Sequence, residues 1–217
     1  MRKQCVIIDG VKSRFVNVLS GLSQGTVIAG LLFLIFINDL PDTVISSFTG
    51  VFCDDTLLAK EIKQQSDSLE LNNDLQSVNK WAKLWGMNFN VLKCVSMTIT
   101  NKRNPITSQY YLGDTILEKK EFVKYLGVII DHKLTFGPHI NEKCKSATTI
   151  LNMLRRNLFY APKSVKCKAY KSCVLPIIEY ASSCWQPTSE KLNHKLEMVQ
   201  HNAAKFISNY YSKKRRF

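Results

Sequence analysis

Phe48-Thr49-Gly50-Val51-Phe52-Cys53-Asp54-Asp55-Thr56-Leu57-Leu58-Ala59 sets two adjacent carboxylates between two apolar stretches. Val51-Phe52-Cys53 precedes the acids and Thr56-Leu57-Leu58-Ala59 follows them, which predicts a strand, an acidic turn and a second strand. Carboxylates beside buried strands are costly unless they are paired or bind a metal. Two such side chains near one point offer hard oxygen donors suited to Mg²⁺. Two-ion phosphoryl transfer holds its cations roughly 3.5–4 Å apart and normally needs a further carboxylate from a neighbouring strand. On the pair alone, a plain solvated turn, where Asp is common for local hydrogen bonding, is the better-supported reading.

Working outward, the chain opens with a hairpin pattern: Cys5-Val6-Ile7-Ile8 and Phe15-Val16-Asn17-Val18 flank the turn dipeptide Asp9-Gly10. The small, polar residues 21–26 then open an apolar run over 27–37, which reads as a buried helix ending near Asn38-Asp39-Leu40-Pro41. Beyond the acids, Leu71, Leu75, Val78, Ala82 and Trp85 step by four and three, an amphipathic helix over 68–85 closed by Gly86. Strands are expected at Val95, Met97 and Ile99, on either side of Gly113-Asp114, and as one apolar strand over 122–130. After Pro138 the pattern is helical only. Ile140, Cys144, Ala147, Leu151, Leu154 and Leu158 form one stripe, with Lys143, Lys145, Arg155 and Arg156 off it. A second basic helix spans 163–175 and stops at Pro176; a third, from Glu190 to about Asn209, buries Leu192, Leu196, Val199, Ala203 and Phe206.

Composition sets the class. The 217 residues are 45% hydrophobic and 22% charged, which excludes wholesale disorder. Residues 1–100 carry 9 basic and 9 acidic groups, whereas 101–217 carry 21 and 8 and so hold the whole excess of +13. A one-sided basic half suits a polyanion such as nucleic acid, or else only a solubilising surface. The 7 cysteines are scattered and form no C-x-x-C pair, so reduced, mostly buried thiols without disulfide partners are expected. The 4 histidines, in two pairs at His132/His139 and His194/His201, lack zinc-ligand spacing. No secretory leader is evident, and the longest apolar run is shorter than the roughly 20 residues of a membrane span. The expectation is an intracellular protein, nuclear or cytoplasmic, with no membrane partner.

Several ordered strings together carry a resemblance. They are Ser20-Gly21-Leu22-Ser23-Gln24-Gly25-Thr26-Val27-Ile28, Leu31-Leu32-Phe33, Ile37-Asn38-Asp39-Leu40 and Phe52-Cys53-Asp54-Asp55-Thr56. Trp81-Ala82-Lys83, Trp85-Gly86-Met87-Asn88-Phe89-Asn90 with Lys93-Cys94, and Lys124-Tyr125-Leu126-Gly127-Val128 follow. In the helical part come Leu154-Arg155-Arg156, Glu179-Tyr180-Ala181-Ser182 and Lys195-Leu196-Glu197-Met198-Val199-Gln200. This series resembles the reverse transcriptase of non-LTR (LINE-type) retrotransposons, the jockey-like group especially. The resemblance implies an RNA-directed DNA polymerase that joins deoxynucleoside triphosphates to a DNA primer on an RNA template. It implies Asp54 and Asp55 as Mg²⁺ ligands in a two-metal site, and Gln24 and Gly25 against the incoming nucleotide and template. It also implies Lys93 beside the leaving pyrophosphate, with a lysine closing a helix-to-strand loop as the equal alternative, and Tyr125, Leu126 and Gly127 as the primer grip. Lys143, Lys145, Arg155 and Arg156 would follow duplex phosphates without reading sequence.

The resemblance also predicts a gap. The family's A-F-D segment, an essential metal ligand upstream of the Q-G motif, has no counterpart in the 20 residues before Gly21, whose only carboxylate is Asp9. The triphosphate-holding fingers are missing too, and Ser23, Ala29-Gly30 and Cys53 depart from the usual residues. The expected fold is α+β: an incomplete polymerase palm of antiparallel sheet and helices over 1–135, then an all-helical thumb-like region over 136–217. The expected state of this chain alone is a catalytically inactive fragment, poorly soluble where a strand partner is lacking. A non-catalytic nucleic-acid-binding remnant is the alternative.

Overall fold

The computed structural model describes residues 2–19, 21 and 25–210. The first elements are β1 (Arg2–Gln4), β2 (Ile7–Ile8), β3 (Val11–Lys12), β4 (Val16–Val18), α1 (Val27–Ile37), β5 (Phe48–Phe52), β6 (Asp55–Ala59) and α2 (Gln65–Leu84). Short strands follow: β7 (Val95–Ser96), β8 (Tyr111–Leu112), β9 (Thr115–Ile116), β10 (Glu118–Lys119), β11 (Phe122–Tyr125) and β12 (Val128–Asp131). The chain ends in α3 (Gly137–Asn157), α4 (Lys163–Cys173), α5 (Leu175–Glu179), α6 (Ser182–Trp185) and α7 (Glu190–Ser208). Among the described residues the strands form six two-stranded pairs, five antiparallel and one (β7 with β10) parallel, so the fold is the α+β class expected. The chain divides into two compact units, one of residues 1–91 and 106–117, the other of 92–105 and 118–217.

The first unit begins with the expected hairpin. Asp9 and Gly10 both take positive φ, +50° and +81°, the turn whose twist matches a two-residue hairpin. Ile8 pairs with Val11, but Gln4 pairs with Val16, so the second strand carries one extra residue between the two ladders. Helix α1 has the expected bounds but is not buried as expected. Val27 is 98% exposed, and Ile28, Leu31, Leu32, Leu34 and Ile35 also face water. Only Phe33, Phe36 and Ile37 pack inward, against Val78, Trp81 and Ala82 of α2. An all-apolar helix has no polar face to reveal which side packs.

Helix α2 starts with a reciprocal cap between Gln64 and Asp67 and ends at Trp85, with Gly86 at φ +68° beyond it. Trp81, not Trp85, is its buried indole, and Nε1 donates to Asp39 Oδ1 at 3.1 Å. Buried Asp74 accepts from the amides of Ile45 and Ser46 and from the Ser46 hydroxyl, pinning the approach to β5. The β8–β9 hairpin hangs from the same helix, Asn72 bonding the backbone of Gln109 and Tyr111 and Gln76 that of Gly113.

In the second unit the apolar segment over 122–130 is a hairpin, not one strand. Leu126 and Gly127 turn it at φ +45° and +80°, and Tyr125 pairs with Val128. The helices bear out their stripes: Ala147, Leu151 and Leu154 of α3 meet Val174, Ile178, Val199, Ala203 and Phe206 in one core. Pro176 lies in the first turn of α5 rather than merely ending α4. None of the cysteines is fully buried; all seven are free thiols, with Cys53, Cys173 and Cys184 exposed, against the expectation of mostly buried ones. Among the described residues no helix is long and apolar enough to cross a membrane.

Candidate functional site

Alternation along β5 and β6 decides where the carboxylates point. Thr49 lies opposite Leu58 and Val51 opposite Thr56, and Val51 and Leu58 face the core of the first unit. Phe52 pairs with Asp55 on the other face, in water. The two turn residues are therefore Cys53 and Asp54, and Asp55 is the first residue of β6. Cys53 carries φ +52°, an uncommon conformation for a residue with a side chain. Asp54 and Asp55 are both exposed.

Among the described residues no three His, Cys, Asp or Glu side chains form a group able to hold a metal ion. Two adjacent carboxylates are good hard donors but cannot by themselves enclose two cations. The described residues thus supply part of a donor set and do not fit a complete two-ion centre.

The other expected site residues fall in both units. Gly25 stands exposed at φ +82° just before α1, and Gln24 lies outside the described residues, as does the basic tail after Tyr210. Lys93 is exposed at the end of a short helical turn over Val91–Lys93, in the second unit. Tyr125, Leu126 and Gly127 form the tip of the β11–β12 hairpin. Leu126, a position that would also have to pack in the core if it lay in a continuous strand, is 36% exposed instead, because the left-handed turn lifts it from the sheet.

That tip is held by a residue to which sequence reasoning gave no role. Tyr180 donates its hydroxyl to the Leu126 carbonyl at 2.9 Å, and its ring lies 3.1 Å from where a Cβ on Gly127 would stand. Only glycine tolerates both that contact and φ +80°. Lys143 sets its ammonium 5.8 Å from the centre of the Tyr180 ring, and Trp185 Nε1 donates to the Tyr180 carbonyl at 2.7 Å. The quoted Glu179-Tyr180-Ala181-Ser182 string was the signal that could have found it.

Two further buried groups organise the surroundings. Asp131, closing β12, accepts from the amides of Lys133, Thr135 and Phe136 at 3.1, 3.1 and 2.7 Å and from the Thr135 hydroxyl at 3.1 Å. Burial would raise its carboxyl, but those hydrogen bonds outweigh burial and hold it below the usual carboxylate range. His139 is fully buried with its ring edge-on to Trp185, and Nδ1 accepts from the Ile129 amide at 3.1 Å. Burial first, and the Lys143 charge second, push the imidazole below its ordinary value.

The basic helices divide their cations between structure and solvent. Arg155 donates through Nη2 to the Asn202 carbonyl at 2.9 Å, bracing α3 on α7. Lys166 is buried, with Nζ bonding the Phe159 carbonyl and Asn209 and lying over the Phe206 ring. Lys145 and Arg156 face outward.

A family model for reverse transcriptase (RNA-dependent DNA polymerase) matches residues 1–130, more than half of the chain. The RNA-directed DNA polymerase from mobile element jockey of Drosophila melanogaster is 26% identical over 94% of this chain, and that of Drosophila funebris 29% over 95%. The probable RNA-directed DNA polymerase from transposon BS of Drosophila melanogaster is 26% identical over 88%. The chain spans about a quarter of the length of these curated relatives, at 23% or 24% of each. No solved structure matches. Reverse transcriptases generally use divalent metal ions. On the family match and these relatives together, the chain belongs to the reverse transcriptase family, among the jockey-like elements of the non-LTR class.

Proposed function

We propose that this chain is part of an RNA-directed DNA polymerase of a mobile element, with Asp54 and Asp55 as its contribution to the metal site. The observation that carries the reading is the exposed carboxylate pair at the β5–β6 turn, in a stretch matched by the family model. Mg²⁺ bound there would neutralise charge on the phosphates being transferred. Asp54 and Asp55 would hold it together with a carboxylate that the described residues do not provide.

In the same reading Gln24 and Gly25 would contact nucleotide and template, and Lys93 would steady the pyrophosphate. Tyr125, Leu126 and Gly127 would hold the primer end, their turn fixed by Tyr180. Residues 1–135 would serve as palm and 136–217 as a thumb-like region whose Lys143, Lys145, Arg155 and Arg156 face duplex phosphates. Arg155 would act there largely by bracing α3. The substrates would be deoxynucleoside triphosphates, an RNA template and a DNA primer, inside the cell in nucleus or cytoplasm.

The 217 residues on their own are proposed to be catalytically silent and to bind nucleic acid through the basic half. Primer extension with Mg²⁺ tests this, using the chain and Asp54→Asn side by side. The expected result is no synthesis by either, with equal nucleic-acid affinity that weakens steeply with salt. Synthesis that disappears in Asp54→Asn would overturn the silent reading. Binding indifferent to salt would remove the role of the basic helices.

A further inference from the structure

Residues 143–178 contain eight Lys and Arg and no Asp or Glu. In the middle of this acid-free stretch, where α3 hands over to α4, Phe159 and Tyr160 stand in water at 58% and 95% exposure. Their ring centroids are 5.0 Å apart and the planes cross at 88°. Exposing two large rings side by side forgoes burial that the adjacent core could have supplied.

The connection that bears them is anchored. The Leu158 amide donates to the Leu154 carbonyl at 2.8 Å and the Ala161 amide to the Leu158 carbonyl at 3.1 Å. Buried Lys166 donates from Nζ to the Phe159 carbonyl at 2.9 Å, so a cation inside the fold fixes the backbone between the rings. Arg156 precedes the pair on the last turn of α3, and Lys163 opens α4 after it; both are exposed. Neither forms an ion pair among the described residues.

Aromatic faces on an anchored turn, flanked by unpaired cations and free of acids, match what an unpaired nucleotide needs. The cations meet its phosphates and the rings meet its base. We propose that Phe159 and Tyr160 form a stacking platform for an unpaired nucleobase of a single-stranded nucleic acid, its backbone held by Arg156 and Lys163. Every base has a π-face, so the platform is tolerant of sequence. This rests on the reading that the helical half binds nucleic acid, and adds to backbone contact a contact with the base itself.

The test uses the whole chain and a fluorescein-labelled oligothymidylate of about a dozen nucleotides, with the same oligomer carrying abasic sites as probe. Tyr160→Ala is expected to weaken binding of the intact oligomer roughly 5- to 150-fold. Its dependence of log affinity on log salt should be unchanged. The parent should lose a similar factor on the abasic oligomer, and the variant no more. Arg156→Gln should instead lower the salt slope by about one. Because Tyr160 contacts little of the fold, an unchanged melting temperature of Tyr160→Ala checks that folding is intact.

Parent-like affinity in Tyr160→Ala with the normal salt slope overturns the platform and leaves the basic face standing. Absence of any salt-dependent binding by the parent overturns both readings. Loss of self-association in Tyr160→Ala at unchanged oligomer affinity would assign the rings to a contact between copies of the chain, and overturns the platform too.

Discussion

Changing Asp131 to asparagine keeps the shape of the side chain and removes its charge. The carboxylate serves four donors, and the shortest bond, 2.7 Å, comes from the Phe136 amide that opens α3. Asparagine retains one acceptor oxygen and turns the other position into a donor. The Thr135 hydroxyl can rotate and accept from it, but the Phe136 amide cannot. One buried donor is therefore stranded and the remaining bonds lose their charge assistance, a cost of roughly 2–4 kcal/mol. With a urea dependence of about 2 kcal/mol per molar, the unfolding midpoint should fall by roughly 1–2 M. Hydrogen exchange read by mass spectrometry on peptides spanning 128–158 would assign the loss to the second unit. The charge also sets a pH dependence. The folded carboxyl titrates below its unfolded value, so its stabilisation is present above about pH 4 and fades as pH falls through the lower folded value. Asp131→Asn should lack that acid slope. A midpoint within about 0.3 M of the parent, with the 128–158 amides still protected, would refute the reasoning.

His139 predicts a second acid slope at higher pH. Its folded value lies below the ordinary 6.5, so the unfolded chain takes the proton first and stability falls as pH drops below about 6.5. His139→Asn, which keeps an acceptor for the Ile129 amide, should flatten urea midpoints measured between about pH 5 and 6.5. Tyr180→Phe removes one hydroxyl bond to Leu126 and should cost about 1 kcal/mol in urea unfolding; Gly127→Ala, which adds left-handed strain and crowds that ring, should cost more. Cys53→Gly relieves φ +52° at the acidic turn and should raise the melting temperature of the first unit, by the equivalent of roughly 0.5–1 kcal/mol.

The parts of this fold that were legible in sequence are those where polar and apolar positions alternate with a clear period. The stripes of α3 and α7 are of that kind, whereas β5 and β6 were legible as strands only from the apolar stretches on either side of the acids. Helix α1 was legible in length alone, since eleven apolar residues mark no face. The segment over 122–130 read as one strand because nothing about Leu126 announces a left-handed residue; Gly127 was the available hint. Within the site, Asp54 and Asp55 stood out by composition, but the turn lies one residue earlier than the pair because Cys53 takes the strained position. Tyr180 acts through a backbone atom 54 residues away and His139 through one 10 residues away, and no spacing rule encodes such partners. Asp131 bonds amides only 2 to 5 residues on, but nothing in its neighbours marks it as the acceptor.

The route of the chain between the two units has a consequence for how they form. After Pro105 it leaves the second unit, contributes Ile106–Leu117 to the first, and returns at Glu118. Neither unit is a continuous stretch of sequence, so no single cut frees one intact from the other. Most strand pairs here are hairpins that close over a few residues, but β7 meets β10 only after the excursion. During synthesis, α2 emerges early enough to receive the β8–β9 hairpin as that hairpin is made. Residues 92–105 must instead wait for the segment from Glu118 to His132, which supplies the backbone partners of Val95, Ser96 and Thr100. The order of translation thereby becomes an order of assembly, in which completing the first unit ends the excursion and brings β10 back to β7.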